Sequence, residues 1–354
     1  MARDLVDLSM LTDNVVSGDI NEYSITLYGE GGSGKSTFAN ALKRKLGSSA
    51  SFFFEPRARG LGGIKVVECP DWDTFLAYIK QLKRLKKEGK PVPFDNIIID
   101  SCDSAYEKCT RFIMEENDWT TLQGDYGARY TAVGSEFKNA ISELRNMGFI
   151  VTFLTHEKSE EAHDINDAAF DRAIPIIAGQ IQDIVNDHVD FIMYLQKVTV
   201  TDDDGNKKEM RRLWLKNNPY IKLKTPLFGL PDYIDYENVA EGVDKFIEAF
   251  NKAVDTTREM YESGEDVGSP NDDNMKTVEF VAPKTTDFKE EVVDDVPTIS
   301  LNDLQDKAVA VRDKLMETMD KTEVVALLKK HLGTASITKC LDADKLSTFI
   351  KENE

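Results

Sequence analysis

The sequence predicts an α/β fold with a mostly parallel sheet, followed by a small helical module at the C-terminal end. Over the first 250 residues, short apolar runs alternate with helical patterns, which is typical of βαβ units. Two of these runs, within residues 95–100 and 149–155, are apolar without alternation, as expected of strands that are covered on both faces. From residue 300 a helical periodicity returns after an acidic stretch that has none.

The elements of the first 262 residues follow from these patterns in order. Strands are predicted at residues 23–29, 51–55, 64–68, 95–100, 149–155, 190–200 and 209–216, where β-branched and aromatic residues are dense. Helices are predicted at residues 38–47, 71–89, 104–116, 134–147, 174–189 and 236–262. The DDDGN segment at 202–206 predicts a hairpin turn between two strands.

Composition divides the chain into three parts. Residues 1–261 are predicted to form the α/β core, residues 262–299 an acidic flexible linker, and residues 300–354 a small module of two or three helices. The net charge is −19, and residues 255–300 alone carry 13 acidic against 4 basic residues. About half of the charge imbalance therefore falls outside the core, so a local nucleic-acid surface on the core is not excluded.

The same composition predicts a cytoplasmic protein. The chain has no apolar run of membrane-spanning length and begins with acidic residues instead of a secretory signal, so we expect no membrane contact. Its four cysteines, Cys69, Cys102, Cys109 and Cys340, lack CxxC spacing. We expect them to be reduced and not to bind structural zinc.

A glycine-rich loop provides the first chemical signal. Residues 29–36, GEGGSGKS, match the phosphate-binding pattern GxxxxGK[ST] completely, with a predicted strand before and a helix after. Glycines let backbone N–H groups wrap phosphates, lysine reaches the β- and γ-phosphates, and serine binds Mg²⁺. The predicted nucleotide-binding residues are Gly29, Gly31, Gly32, Ser33, Gly34, Lys35, Ser36 and Thr37. A glycine turn that binds nothing is disfavoured, because a strand leads directly into the motif.

An acidic residue at the end of a second strand completes the expected metal site. Asp100 ends the buried run NIIID, about 65 residues after the loop, and is predicted to hold the Mg²⁺ shell together with Ser36. The next residue is Ser101, whereas ring ATPases of the AAA+ type usually carry a catalytic Glu there. The sequence has no NKxD-like guanine reader, since NKAVD at 251–255 is one residue too long. This absence favours ATP over GTP.

Together these motifs resemble phage-encoded RecA-like P-loop ATPases, the AAA-family phage nucleotide-binding proteins of single-strand annealing or recombination type. The resemblance covers residues 20–235 and is most specific at the nucleotide site. It implies a RecA-like core with ATP and Mg²⁺ as cofactors. The shared pattern comprises the glycine-rich loop, Glu55, Asp100-Ser101, Tyr126-Gly127, Thr155-His156-Glu157 and the IPxxxG segment at 174–179.

Further site residues are implied by the resemblance alone. Glu55 is expected to activate the attacking water, with Asp103 as the alternative acid, and His156 to act as a polar sensor at a strand end. RecA-like proteins assemble as rings or filaments with ATP between subunits, so we expect a homo-oligomer. Lysines after the hairpin would then act as fingers on a neighbouring subunit, or else be solvated strand-edge lysines; they are Lys216, Lys222 and Lys224.

The resemblance also implies two loops that bind single-stranded DNA. The first, at 117–134, contains residues suited to base stacking and phosphate contact, or equally to packing or a subunit interface: Trp119, Tyr126, Arg129 and Tyr130. The second, at 157–178, carries six acidic residues, which departs from a DNA-gripping loop. A basic helical face within 80–90 could follow a phosphate backbone or simply be solvated.

These observations predict an ATPase that acts in phage-type DNA recombination, single-strand annealing or replication and binds single-stranded DNA. The C-terminal module would then recruit a partner such as a single-strand-binding protein. Two alternatives remain open at this point. One is a P-loop motor that acts on a protein or DNA partner, and the other is a nucleotide-gated interaction module that hydrolyses ATP slowly.

Overall fold

The computed structural model describes most of the first 271 residues and parts of the C-terminal region. The described residues are 14–56, 60–123, 127–163, 169–201, 207–216, 218–263, 268–271, 308–309, 311–312, 314–316, 320–332, 337, 345, 348–350 and 353. The chain divides into two compact units, Met1–Ala282 and Pro283–Glu354. The predicted domain limits at 261 and 299 stay a prediction.

The strands of the first unit form one mostly parallel sheet. They are β1 (Ile25–Gly29), β2 (Ser49–Phe53), β3 (Lys65–Glu68), β4 (Asn96–Asp100), β5 (Ile150–His163), β6 (Ala169–Pro175), β7 (Phe191–Thr201), β8 (Lys207–Trp214) and β9 (Tyr233–Tyr236). Their order is β3-β2-β4-β5-β1-β7-β8-β9, with β6 paired to β5. The strands from β3 to β7 in this order run parallel, and β8 and β9 are antiparallel to their neighbours.

Helices cover both faces of this sheet. They are α1 (Lys35–Leu46), α2 (Trp72–Lys87), α3 (Cys102–Glu116), α4 (Ala128–Asn146) and α5 (Val239–Glu262). Side chains alternate between the two faces of a strand. In β4, Ile97 and Ile99 therefore pack with α2, α3 and α4, whereas Ile98 packs with α1 and α5. This double burial explains the unbroken apolar run of β4.

The strand order brings the predicted site residues to one edge of the sheet. The glycine-rich loop follows β1, and β5 separates β1 from β4, which ends at Asp100. Glu55 lies two residues past the end of β2, which is the next neighbour of β4. Because parallel neighbours end on the same side, these groups converge. The predicted α/β fold with a mostly parallel sheet is confirmed.

The prediction that residues 157–178 form a loop is wrong. Within it, β5 continues to His163 and pairs with β6 in an antiparallel hairpin, with Glu160 opposite Arg172. Residues 158–161 are exposed. Such a hairpin has no buried face at its outer end, so the sequence lacks the apolar alternation that marks a strand.

Other predicted elements shift in the structure. The predicted helix at 174–189 is wrong, because Pro175 ends β6 and only a 3₁₀ turn (Gly179–Ile181) and a π turn (Asp183–Asp187) follow. β9 occupies the start of the predicted helix 236–262, which the structure places at 239–262. Asn238 caps that helix by accepting a hydrogen bond from the backbone N–H of Glu241. The predicted turn at 202–206 lies outside the described residues.

The C-terminal unit contains helix α6 (Lys321–Leu332) and a small apolar cluster of its own. Val324 and Leu328 of α6 pack there with Phe349 and Ile350. Most of the described residues in the predicted helical module are thus helical. Among the described residues, no helix has both the length and the apolar character needed to cross a bilayer.

Candidate functional site

The glycine-rich loop turns sharply between β1 and α1, at positions where a side chain would not fit. Gly29 has a φ of 151°, and a Cβ there would lie 2.1 Å from the carbonyl oxygen of Leu195. Gly34 has a φ of 104° and caps the N-terminus of α1. The first turn of α1 leaves backbone N–H groups without helical partners, which is where anions bind.

Lys35 places a positive charge inside this loop. The residue is only 8% exposed, and its Nζ donates hydrogen bonds to the carbonyl oxygens of Gly29 at 2.8 Å and Glu30 at 2.7 Å. A buried ammonium must be paired or hydrogen-bonded, and here the loop backbone supplies the acceptors. The arrangement suits a loop that closes around phosphate.

Ser36 and Asp100 meet as the predicted metal site requires. Burial raises the pKa of the Asp100 carboxyl group, an effect that the neighbouring Ser36 hydroxyl partly offsets. Its Oδ2 is buried and has no hydrogen-bond partner among the described residues. A buried oxygen of this kind needs a cation or donor, and Mg²⁺ takes carboxylate and hydroxyl ligands. These residues therefore fit the expected Mg²⁺.

Glu55 lies beside this pair and is held by two hydroxyl groups. Its Oε1 accepts hydrogen bonds from Ser101 Oγ at 2.8 Å and from Ser104 Oγ at 2.7 Å. The two serines also contact one another at 3.0 Å. The carboxylate is thus fixed in orientation at the edge of the cleft. This role of Ser104 was missed from the sequence, although its spacing from Ser101 at the start of a helix could have indicated it.

His156 forms the other half of the polar cluster. Its Nδ1 lies 2.8 Å from Oδ2 of Asp103, on the first turn of α3. Ligand atoms of Glu55, Asp103 and His156 all lie within 4.8 Å of one another, so they could in principle share a cation. Hydrogen bonds already orient these three side chains, because His156 contacts Asp103 and two serines hold Glu55. His156 lies within β5, not at its end as the sequence predicted.

Most of these groups, but neither Asp103 nor Ser104, line one cleft of about 350 Å³. Besides the loop and the carboxylates, it is lined by Thr37, Phe53, Leu61 and Arg211. Arg211 lies on β8 and contacts Ser33 of the loop, 178 positions earlier in the chain. The sequence analysis did not predict this residue as part of the site. Nothing in the sequence distinguishes it from Arg212, because strand pairing alone brings it to the loop. The cleft gathers most of the predicted nucleotide and metal residues.

The three predicted finger lysines lie outside this cleft, between β8 and β9. Nζ of Lys224 donates to the carbonyl oxygens of Asp187 and Val189, both at 2.7 Å, so it is engaged within its own chain. Lys222 and Lys216 are half-buried. The backbone carbonyl of Lys222 accepts a hydrogen bond from Tyr28 at 2.9 Å, which ties this segment to β1. Their action on a neighbouring subunit stays a prediction.

Of the residues predicted to contact DNA, the structure brings two together, Arg129 and Trp119. The Arg129 guanidinium lies 5.1 Å from the Trp119 ring centroid and donates to the carbonyl oxygen of Thr121. Trp119 also packs against the main core, which favours local packing. Tyr130 lies on α4 and is 36% exposed, and Tyr126 lies outside the described residues. DNA contact by these residues stays a prediction.

The basic face of α2 is partly neutralised by neighbouring acids. Lys83 pairs with Glu143 at 2.7 Å, and Arg84 lies 3.8 Å from Glu88. Lys80 and Lys87 are exposed. Exposed pairs of this kind are weak, so the face keeps part of its positive potential.

Comparison with known proteins agrees with this geometry. A family model described as "AAA domain" matches residues 21–227, which include the whole cleft. A solved structure of a KaiC-like protein from the hyperthermophilic archaeon Pyrococcus horikoshii OT3 is similar over 61% of this chain and 90% of that chain, at 16% identity and a TM-score of 0.33. None of the curated proteins matches the chain.

Proposed function

The chain belongs to the AAA domain family, and on that premise we propose that it binds ATP with Mg²⁺ and hydrolyses it. The observation that carries this proposal is the convergence of Lys35, the Ser36–Asp100 pair and Glu55 on one cleft. These are the groups that phosphate binding, metal binding and activation of water require. The KaiC-like structure is too distant to add to this argument.

Each residue of the cleft has a distinct task in the proposed reaction. Lys35 and the loop backbone bind the phosphates, and Ser36 and Asp100 would hold the metal. Mg²⁺ held there would neutralise negative charge on the phosphates. Glu55, oriented by its two serines, accepts a proton from the attacking water. His156, paired with Asp103, lies beside Glu55 as a polar sensor.

We further propose that this ATPase acts on single-stranded DNA, in recombination, annealing or replication of the phage type. The support is the Arg129–Trp119 pair, which presents a cation beside an aromatic ring, and the exposed lysines of α2. ATP would be bound between subunits of a ring or filament. The C-terminal module would bind a protein partner, such as a single-strand-binding protein.

A second candidate function has its own observation. The outer part of the hairpin β5–β6 projects exposed acidic residues, including Glu160, Glu161 and Asp171. Phosphate would be repelled by such a surface, whereas a basic protein surface would be attracted to it. This feature favours a motor, or a nucleotide-gated module, that is directed at a protein.

Turnover of ATP by the full chain, with and without single-stranded DNA, distinguishes these functions. We expect DNA to stimulate turnover at low ionic strength and less at moderate ionic strength, because phosphate contacts are screened. Lys35→Ala is the control and should abolish turnover. Equal activity in that variant would refute the site. ATP turnover that is the same with and without DNA at every salt concentration would favour the protein-directed function.

A further inference from the structure

The side chain of Arg211 is held against the phosphate-binding loop by a hydrogen bond to the loop backbone. Its Nε donates a hydrogen bond to the carbonyl oxygen of Ser33 at 3.0 Å. A Cβ on Gly34 would lie 3.0 Å from the same nitrogen, so the side chain passes directly over the loop just before α1. Arg211 is half-buried and lines the cleft.

The charge of this arginine is not neutralised by a described carboxylate. Among the described residues, none places an acidic oxygen within 4.0 Å of Arg211, and its two terminal nitrogens make no hydrogen bond there. The adjacent Arg212 is the opposite case, because it forms two hydrogen bonds of 2.7 Å with Asp235. An arginine fixed through Nε keeps its two terminal N–H₂ groups as donors for an anion.

The sheet order decides which part of a nucleotide this arginine meets. Asp100 ends β4 and Glu55 follows β2, and both strands lie on one side of β1. Arg211 comes from β8, on the other side of β1, and touches the loop at Ser33. The γ-phosphate belongs beside the metal and the general base. Arg211 therefore faces the phosphates that ATP and ADP share.

We propose that Arg211 is a nucleotide-binding residue supplied by the same chain, and that its guanidinium binds the α- or β-phosphate of the bound nucleotide. This inference rests on the proposed function. The site thus has two cations of its own, Lys35 from the loop and Arg211 from β8. Pairing of β8 with β7 therefore helps to complete the nucleotide site.

The test is calorimetric binding of Mg²⁺–ATP and Mg²⁺–ADP to the full chain. Arg211→Gln should weaken both by about 10- to 100-fold, the effect of losing one charged hydrogen bond. Arg211→Lys should recover part of the loss. The matched control is Lys197→Gln, since Lys197 lies opposite Arg211 on β7 but does not line the cleft. This control should change binding less than twofold.

Three results would overturn the proposal: unchanged binding in Arg211→Gln, an equal loss in Lys197→Gln, or a loss for ATP alone. The melting temperature without nucleotide should fall only slightly in Arg211→Gln, by the effect of losing the one hydrogen bond to Ser33. If it falls in step with affinity, Arg211 only shapes the loop and the proposal fails. Failure of the proposed function is distinct, because then the wild-type chain would bind neither nucleotide and Lys35→Ala would change nothing.

Discussion

Glu55 illustrates how a single carboxylate becomes a candidate general base. It lies beyond the end of a strand, at the edge of the cleft, and two serine hydroxyls fix its Oε1. Position and orientation are what such a group needs most, because proton transfer requires hydrogen-bond distance to the attacking water.

Substitution of Glu55 by glutamine tests this role. Glu55→Gln keeps the size and the serine contacts but removes the basic oxygen, so turnover should fall by about 10²- to 10⁴-fold while ATP binding is retained. Single-turnover hydrolysis and equilibrium binding measure the two effects. Glu30→Gln, the same change on an exposed side chain of the loop, is the control. Undiminished turnover in Glu55→Gln would transfer the role to Asp103.

Lys43 is a second residue whose chemistry follows from burial. It is 1% exposed, its Nζ reaches the carbonyl oxygens of Ile20 and Tyr23 only at 3.4 Å, and burial lowers its pKa to about 8. The unfolded chain has the ordinary value of 10.5. Between these values the unfolded state binds the extra proton, so stability rises with pH from 8 to 10.5 and is reduced below 8.

Lys43→Met should therefore increase stability at pH 7. The pKa difference corresponds to a gain on the order of 3 kcal/mol, as an upper value. Urea unfolding of both proteins between pH 7 and 10.5 measures it, and the difference between them should shrink as pH rises. Tyrosines also titrate in that range, but they are common to both proteins. A pH-independent difference would contradict the argument.

At the scale of elements, close packing of α5 on β9 depends on one glycine. A Cβ on Gly242 would lie 2.6 Å from Cγ of Tyr236, which is fully buried and stacks with Phe38 at 5.9 Å. Both rings are fully buried. Glycine lowers the helical propensity at this position, but it allows the helix to contact the strand.

The sign of the stability change in Gly242→Ala tests this close packing. In a helix without the contact, alanine would stabilise by about 1 kcal/mol. Here overpacking costs about 1–3 kcal/mol, so we expect net destabilisation and a lower melting temperature. Adding Tyr236→Leu makes room, and the double variant should lose less than the sum of the single variants. A stabilised Gly242→Ala would show that the ring moves easily.

The hairpin β5–β6 connects the site to a distant surface. His156 lies on the same strand as the exposed acidic residues that follow it. The hydroxyl of Tyr28, just before the loop, shares its proton between the carbonyl oxygens of Ala173 and Lys222, at 3.0 and 2.9 Å. The loop strand, the hairpin and the lysine segment are therefore joined through one hydroxyl group. A partner bound at the hairpin would contact an element that carries a site residue.

At the scale of the whole molecule, the core continues beyond α5. The side-chain oxygen of Asn271 accepts a hydrogen bond from the backbone N–H of Thr225 at 3.0 Å, and the first compact unit extends to Ala282. Both cleft and core clusters lie within this unit. Its stability should not depend on the C-terminal unit.

Truncation at two positions tests whether the first unit is stable without the C-terminal unit. A chain ending at 282 should keep the melting temperature and ATP affinity of the core, because every described contact of the site is retained. A chain ending at 261 loses the Asn271 contact and should be about 1 kcal/mol less stable. Calorimetry and circular dichroism measure both. Global unfolding of the 1–282 chain would contradict the division into two units.

The sequence by itself determined the parts of this protein that are local. The eight-residue glycine-rich motif at the junction of β1 and α1, the strand end at Asp100 and the doubly buried runs of β4 and β5 are each contiguous in sequence. Their patterns therefore predicted the fold class and the phosphate and metal residues. Backbone geometry and short-range periodicity suffice for such features.

Only the tertiary structure decided the contacts between distant positions. Glu55 meets Ser104 across 49 positions, His156 meets Asp103 across 53, and Arg211 meets Ser33 across 178. The hairpin β5–β6 was not predicted from the sequence either, because both faces of its outer part are exposed to solvent. Such contacts arise from strand order and pairing, and no short sequence pattern records which strands become neighbours.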